Sequence, residues 1–229
     1  VTIEALHDVN FEIEKGEFCV IVGASGAGKT TTLRMLATLI KPDKGDALID
    51  GSSIVTDPNG VRKKIGFLTS ELKLEEFFTP NYLFDFFSEL YGVDQAERDE
   101  RKRILFQKFG VDEFAEVKVA NLSTGMKQKV SLIISLVHDP QIIIFDEPTA
   151  GLDPKERIHV RNLIHDNSAG KIILIATHVV QDIEDIASQI MLLKKGVLIE
   201  MAAPEILTGR ITDKENPDLE DVYLSIFGE

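Results

Sequence analysis

The sequence predicts an α/β fold built on a mostly parallel sheet, with an antiparallel β part and a helical part attached to it. Three observations carry that expectation. An apolar, β-branched run at 18–22 passes through a glycine-rich loop into an amphipathic segment at 31–40, so that a strand, a loop and a helix follow one another. The runs 142–145 and 172–176 are apolar throughout instead of alternating, as strands covered on both faces of a sheet are. Between residues 80 and 137 the apolar spacing changes to three and four, the period of helices.

Along the chain, Val9, Phe11 and Ile13 alternate before a turn at Lys15-Gly16-Glu17, which predicts a small antiparallel sheet leading into the strand at 18–22. Lys41-Pro42 and Lys44-Gly45 stop the first helix, and 46–50 with Gly51 reads as a short strand closed by a turn. Asp57-Pro58-Asn59-Gly60 reads as a turn and 65–68 as another short strand. Leu83, Phe84, Phe87, Leu90 and Tyr91 then share one broad apolar helix face, ended by Gly92. Phe77, Phe78, Tyr82, Phe84, Phe86 and Phe87 read first as the core of this helical part, although they exceed what one helix face buries. The charge run 97–103 sets Glu97 with Arg101 and Asp99 with Arg103 one turn apart, as on a solvated helix face. Ser123 caps a helix through Val137 that His138-Asp139-Pro140 ends. A helical crossover at 157–165 joins the two apolar strands, and Lys194-Lys195-Gly196 turns 189–193 into 197–199. The tail from Pro204 is polar and acidic until Leu219, Val222, Tyr223, Ile226 and Phe227 mark a terminal helix.

At 229 residues and 44% hydrophobic content the chain can bury one sizeable core. A formal net charge of −13 argues against a nucleic-acid partner, which needs clustered Lys and Arg over a long surface. The one cysteine, Cys19, lies in the buried run and reads as core, so no internal disulfide is expected. No apolar run approaches the roughly 18–20 residues that cross a bilayer, and a soluble chain is expected.

The chemistry starts at Gly23-Ala24-Ser25-Gly26-Ala27-Gly28-Lys29-Thr30, which matches the P-loop pattern of Gly, four residues and Gly-Lys-Ser/Thr. Its glycines let the backbone N–H groups point inward, and the helix that follows brings partial positive charge to a polyphosphate. Lys29 is placed to reach the β- and γ-phosphates of ATP, and the Thr30 hydroxyl to hold Mg²⁺; Thr31 joins the nucleotide contacts. Asp146 and Glu147 follow the strand 142–145 at the edge where open α/β sheets bind ligands. Asp146 suits Mg²⁺, and Glu147 suits aligning or deprotonating the attacking water. His178 ends the second buried strand, and parallel strands finish at the same edge, so it can reach the γ-phosphate region near Glu147. Lys29, Glu147 and His178 are the candidate catalytic residues. A GTPase would need an Asn-Lys-x-Asp segment to read guanine, and the sequence has none.

Leu122-Ser123-Thr124-Gly125-Met126-Lys127-Gln128 resembles the Leu-Ser-Gly-Gly-Gln signature of ABC transporter ATPases, and Pro148, Ala150-Gly151-Leu152-Asp153 and His178 follow in that family's order. Thr124 and Met126 depart from the usual signature in a way that looks like the sodium-exporter and drug-exporter branch, as does Leu219-Glu220-Asp221-Val222-Tyr223. The resemblance implies one nucleotide-binding domain over 1–229, with a P-loop NTPase core at 1–78 and 138–206, a helical subdomain at 79–137 and an extension at 207–229. It implies that Ser123, Gly125 and Asp153 contact nucleotide, the signature facing the ATP of a second such domain. A separate membrane-spanning permease subunit is implied too, with the aromatic cluster forming a groove for it and the chain at the cytoplasmic face of the membrane. The family carries a Mg²⁺-touching glutamine after the strand 65–68; Ser70 or a neighbour stands there instead, and Ser70 is kept as a metal candidate on that ground alone. The family's adenine-stacking aromatic has no counterpart before Phe11. A soluble ABC-type assembly module without a membrane partner is the alternative.

Overall fold

A computed structural model describes residues 4–69, 73–180, 183–212 and 214–228. In chain order its elements are β1 (Phe18–Val22), α1 (Lys29–Leu36), β2 (Leu48–Ile49), β3 (Ser52–Ser53), α2 (Pro58–Lys64), β4 (Ile65–Thr69), α3 (Pro80–Leu90), α4 (Gln95–Phe109), α5 (Thr124–Ser135), β5 (Ile142–Asp146), α6 (Pro154–Asp166), β6 (Ile172–Thr177), β7 (Gln189–Lys194), β8 (Val197–Ala202), α7 (Pro204–Thr208) and α8 (Leu219–Phe227). Six strands form one sheet in the order β4-β5-β6-β1-β7-β8. All neighbours run parallel except β7 and β8. A separate antiparallel pair joins β2 and β3.

The unbroken apolar runs are explained by two cores, one on each face of the sheet. Because side chains alternate along a strand, Val20, Phe145 and Ile175 enter one core while Ile21, Ile144 and Leu174 enter the other. The first core is closed by α3 to α6 and α8, through residues such as Phe84, Phe109, Val130, Val160 and Val222. Leu33 of α1, Val61 of α2 and Ile49 of β2 close the second. Helix α8 is pinned at both ends: Glu184 Oε1 accepts the Leu219 N–H at 3.1 Å, and Lys194 Nζ donates to the Ile226 carbonyl at 2.6 Å, a cation at a helix C-terminus.

Several expectations change. Residues 4–16 form no strand; Val9, Phe11 and Ile13 lie partly buried against the second core, and the antiparallel pairings fall at β2–β3 and β7–β8 instead. Helix α1 ends at Leu36, short of residue 40, because Thr38 turns to φ 60° and the N–H groups of Leu39 and Ile40 both fold back to the Arg34 carbonyl. Asp57-Pro58-Asn59-Gly60 opens α2: the Asp57 carboxylate accepts from the Gly60 N–H at 3.0 Å with proline at the first helical position. In α4 the Glu97–Arg101 pair forms, but Arg103 pairs with Glu100 and Asp99 with Arg98, since the guanidinium groups find nearer carboxylates. On α3, Leu83 and Phe84 are buried whereas Leu90 and Tyr91 face outward, so the apolar stripe is narrower than its spacing predicts. The aromatic cluster divides likewise. Phe84 is fully buried edge-on to Phe106 and Phe87 packs on the core, while Phe77, Phe78, Tyr82 and Phe86 are exposed. Phe78 and Tyr82 stack with ring centroids 4.4 Å apart, and Phe86 continues the row.

Candidate functional site

The loop from Gly23 to Thr30 leaves the carboxyl end of β1, with Ala24, Ser25 and Gly26 exposed and Gly23 and Ala27 buried. Its shape is held by the Ala27 N–H on the Ala24 carbonyl, and by the Gly196 N–H on the Ala27 carbonyl from the turn between β7 and β8. Gly28 caps α1 at φ 106°, a conformation residues with a Cβ rarely adopt. No side chain caps this helix and its first turn carries no carboxylate, so its N–H groups face the loop as an anion-binding array. Lys29 folds over the inner face of the loop, donating to the Gly23 carbonyl at 2.6 Å and the Ala24 carbonyl at 3.2 Å. Burial pulls the pKa of its ammonium down, opposed by the charges of Glu147 and Asp146. A bound polyphosphate would favour the charged form and counter that penalty. Thr31 is half-buried on the first turn of α1.

Asp146 ends β5 at 3% exposure and accepts a hydrogen bond from Thr30 Oγ1 at 3.2 Å. Burial raises its pKa, the Thr30 hydroxyl lowers it, and the neighbouring Glu147 raises it further. A metal on this carboxylate therefore meets proton competition at higher pH than on an exposed aspartate. Strand pairing sets Asp146 beside Ala176 and Val22 beside Thr177, so the phosphate loop, Glu147 and His178 leave neighbouring strand ends. Glu147 adopts φ 52°, and its N–H donates to the Ala176 carbonyl at 2.9 Å. Its carboxylate accepts from Thr177 Oγ1 at 3.2 Å and from His178 Nδ1 at 2.8 Å, which puts the proton of a neutral His178 ring on Nδ1. Glu147 is mostly enclosed and His178 largely open. An anion cradle, a pair of oxygens suited to a hard cation and an oriented carboxylate thus meet at one sheet edge, the parts that phosphoryl transfer to water requires.

Ser123 caps α5, its hydroxyl accepting from the Met126 N–H at 3.2 Å, with Ser123 exposed and Gly125 buried. Asp153 caps α6 by accepting from the Glu156 N–H at 3.0 Å. Among the described residues, none of these three is hydrogen-bonded to the phosphate loop. Ser70 lies outside the described residues. Burial and the nearby Glu17 charge push the Cys19 thiol up to about 12, which leaves it unreactive as expected of a core residue. Thr177 and Gln128 receive no role from the sequence alone, yet Thr177 holds Glu147 and Gln128 donates to the Pro148 carbonyl at 2.6 Å. Adjacency to His178 marks Thr177 only once the β5–β6 register is known.

The family model described as "ABC transporter" matches residues 6–150. The ABC transporter ATP-binding protein NatA of Bacillus subtilis is 35% identical over 225 residues, covering 97% of this chain and 90% of that protein. The doxorubicin resistance ATP-binding protein DrrA of Mycobacterium tuberculosis is 30% identical over 212 residues, covering 92% of this chain and 64% of its own length. Among solved structures, an ATP-binding subunit of an ABC transporter superposes with a TM-score of 0.86 at 26% identity, covering 97% of this chain and 92% of the other. A dimeric ATP-binding cassette bound to ADP and Pi in a post-hydrolysis state gives 0.78 at 29% identity, covering 88% and 91%.

Proposed function

The chain belongs to the ABC transporter family as an ATP-binding, ATP-hydrolysing subunit, and from that premise we propose that it powers an exporter through an ATP-driven dimer of such subunits. The observation that carries the reading is the meeting of Lys29, Thr30, Asp146 and the Thr177–Glu147–His178 group at one sheet edge. The loop N–H groups and Lys29 hold the β- and γ-phosphates of ATP. Thr30 and Asp146 fit Mg²⁺: two hard oxygens stand 3.2 Å apart, and the described residues contain no cluster of three or more His, Cys, Asp or Glu. Mg²⁺ characteristically takes one or two protein oxygens and completes its shell with phosphate and water. Bound there, it neutralises charge on the β- and γ-phosphates. Glu147 orients the attacking water and accepts its proton, while Thr177 and His178 hold the carboxylate toward it.

Ser123 and Gly125 serve the ATP of a second subunit, since their helix N-terminus can bind an anion yet makes no hydrogen bond to its own phosphate loop among the described residues. The solved dimeric cassette supports that arrangement, and the relative named for doxorubicin resistance supports the export direction. Ser123→Arg is expected to leave ATP affinity within about twofold of wild type and to stop turnover, because the added bulk and charge block the dimer contact. Sedimentation with and without Mg-ATP checks it, and an active enzyme that stays monomeric throughout rules the sandwich out.

The exposed row Phe77, Phe78, Tyr82 and Phe86 forms the contact for a membrane-spanning permease subunit, in a reading that has the chain working at the cytoplasmic face of the membrane. No helix among the described residues is long and apolar enough to cross a membrane itself. A multi-spanning chain should co-purify with the wild type and be lost from a Phe77→Ser, Tyr82→Ser variant that keeps ATPase activity. Retention of that chain by the variant would reject the patch as its contact.

A further inference from the structure

We infer that Gln128 is a positioning residue for hydrolysis, holding the Glu147 carboxylate through the carbonyl of Pro148. The inference rests on the hydrolytic reading of Glu147. The loop from Glu147 to Asp153 is tied to the sheet at its start, by the Glu147 N–H on the Ala176 carbonyl, and is shaped by two turns of its own, Ala150 N–H to Glu147 O at 3.1 Å and Leu152 N–H to Thr149 O at 3.3 Å. Glu147 sits at φ 52°, which a residue with a Cβ keeps only where its surroundings impose it. One residue on, the buried Pro148 has no N–H to offer, so its carbonyl is its whole hydrogen-bonding capacity. Gln128 Nε2, reaching across from α5, fills that carbonyl at 2.6 Å.

Without this donor the carbonyl is a buried acceptor lacking its partner, and the loop shifts toward another one. The Glu147 carboxylate, one residue away, then leaves its place against Thr177 and His178. Helix α5 also touches the far end of the loop: a Cβ on Gly125 would lie 2.7 Å from Glu156 Oε2 on the first turn of α6. The first two turns of α5 are thereby wedged between the residue after Glu147 and the helix that Asp153 caps. Ser123, which caps α5, and Gly125 stand at the same end of that helix as Gln128.

The test uses Gln128→Met, of equal length but without a donor, and Gln128→Glu, of equal shape but able only to accept. Each is made alone and in a Glu147→Gln background, with kcat, KM, ATP affinity and thermal unfolding measured. Alone, each variant should lower kcat by about tenfold or more, the scale of one lost hydrogen bond, with ATP affinity unchanged and the protein still folded at the assay temperature after the small loss of stability that an unpaired carbonyl brings. In the Glu147→Gln background neither should lower the residual rate further, because the carboxylate they act through is already gone. A purely structural role would instead multiply with Glu147→Gln, and that outcome overturns the inference. Wild-type kcat in both Gln128 variants, beside an inactive Glu147→Gln, overturns the positioning role alone. Wild-type turnover in Glu147→Gln itself overturns the hydrolytic reading beneath it.

Discussion

Glu147→Gln lowers ATP turnover by about 10² to 10⁴, on the order of 3–5 kcal/mol of barrier, while ATP still binds. Glutamine keeps the size of the side chain and can still accept one of the two hydrogen bonds that Thr177 and His178 give the carboxylate, but it has no carboxylate to take a proton from water. Uncleaved ATP then holds two subunits together, and the variant accumulates as an ATP-dependent dimer. Asp146→Asn is the contrast: it weakens the oxygen pair with Thr30 suited to Mg²⁺, and no such dimer should form. Hydrolysis rates beside size-exclusion profiles, with and without Mg-ATP, decide it. Near-wild-type turnover in Glu147→Gln moves the base elsewhere, with His178 the next group to test.

Lys29→Ala abolishes hydrolysis by a different route, loss of nucleotide binding. The ammonium already sits on the inner face of the loop, on the Gly23 and Ala24 carbonyls, and burial disfavours its charge until an anion arrives. Removing it leaves the backbone N–H array but takes away the cation proposed for the terminal phosphates. Mg-ATP at about 100 times its dissociation constant should stabilise the wild-type fold by roughly 2.7 kcal/mol, and Lys29→Ala should lose most of that shift. A thermal melt with and without Mg-ATP reads both effects. Wild-type affinity in the variant would remove the phosphate loop from the site.

Much of the fold and of the site is legible along the chain. Lys29 and Thr30 are recognisable because their loop pattern is contiguous, and Asp146 and Glu147 because they end an apolar run. Asp57 is a counter-case: its Asp-Pro-Asn-Gly segment serves equally as a turn or as a helix start, and packing of Val61 in the core selects the helix. Val9, Phe11 and Ile13 mislead for a related reason. Alternation records that one side is buried, not that a partner strand stands alongside, and here the burial is against the second core.

By itself the sequence determined the strand, glycine-rich loop and helix that start at Phe18, the sheet strands covered on both faces and the cap at Ser123, because each depends on sterics and periodicity within a few residues. Tertiary structure alone decided that β6 lies between β5 and β1, which brings Thr177 and His178 to Glu147, that Gln128 reaches Pro148, and that Phe77, Phe78, Tyr82 and Phe86 stay outside while Phe84 goes in. Those outcomes rest on which surfaces distant segments bury against one another. Strand order and helix facing are set by long-range packing, and no local pattern encodes the partner.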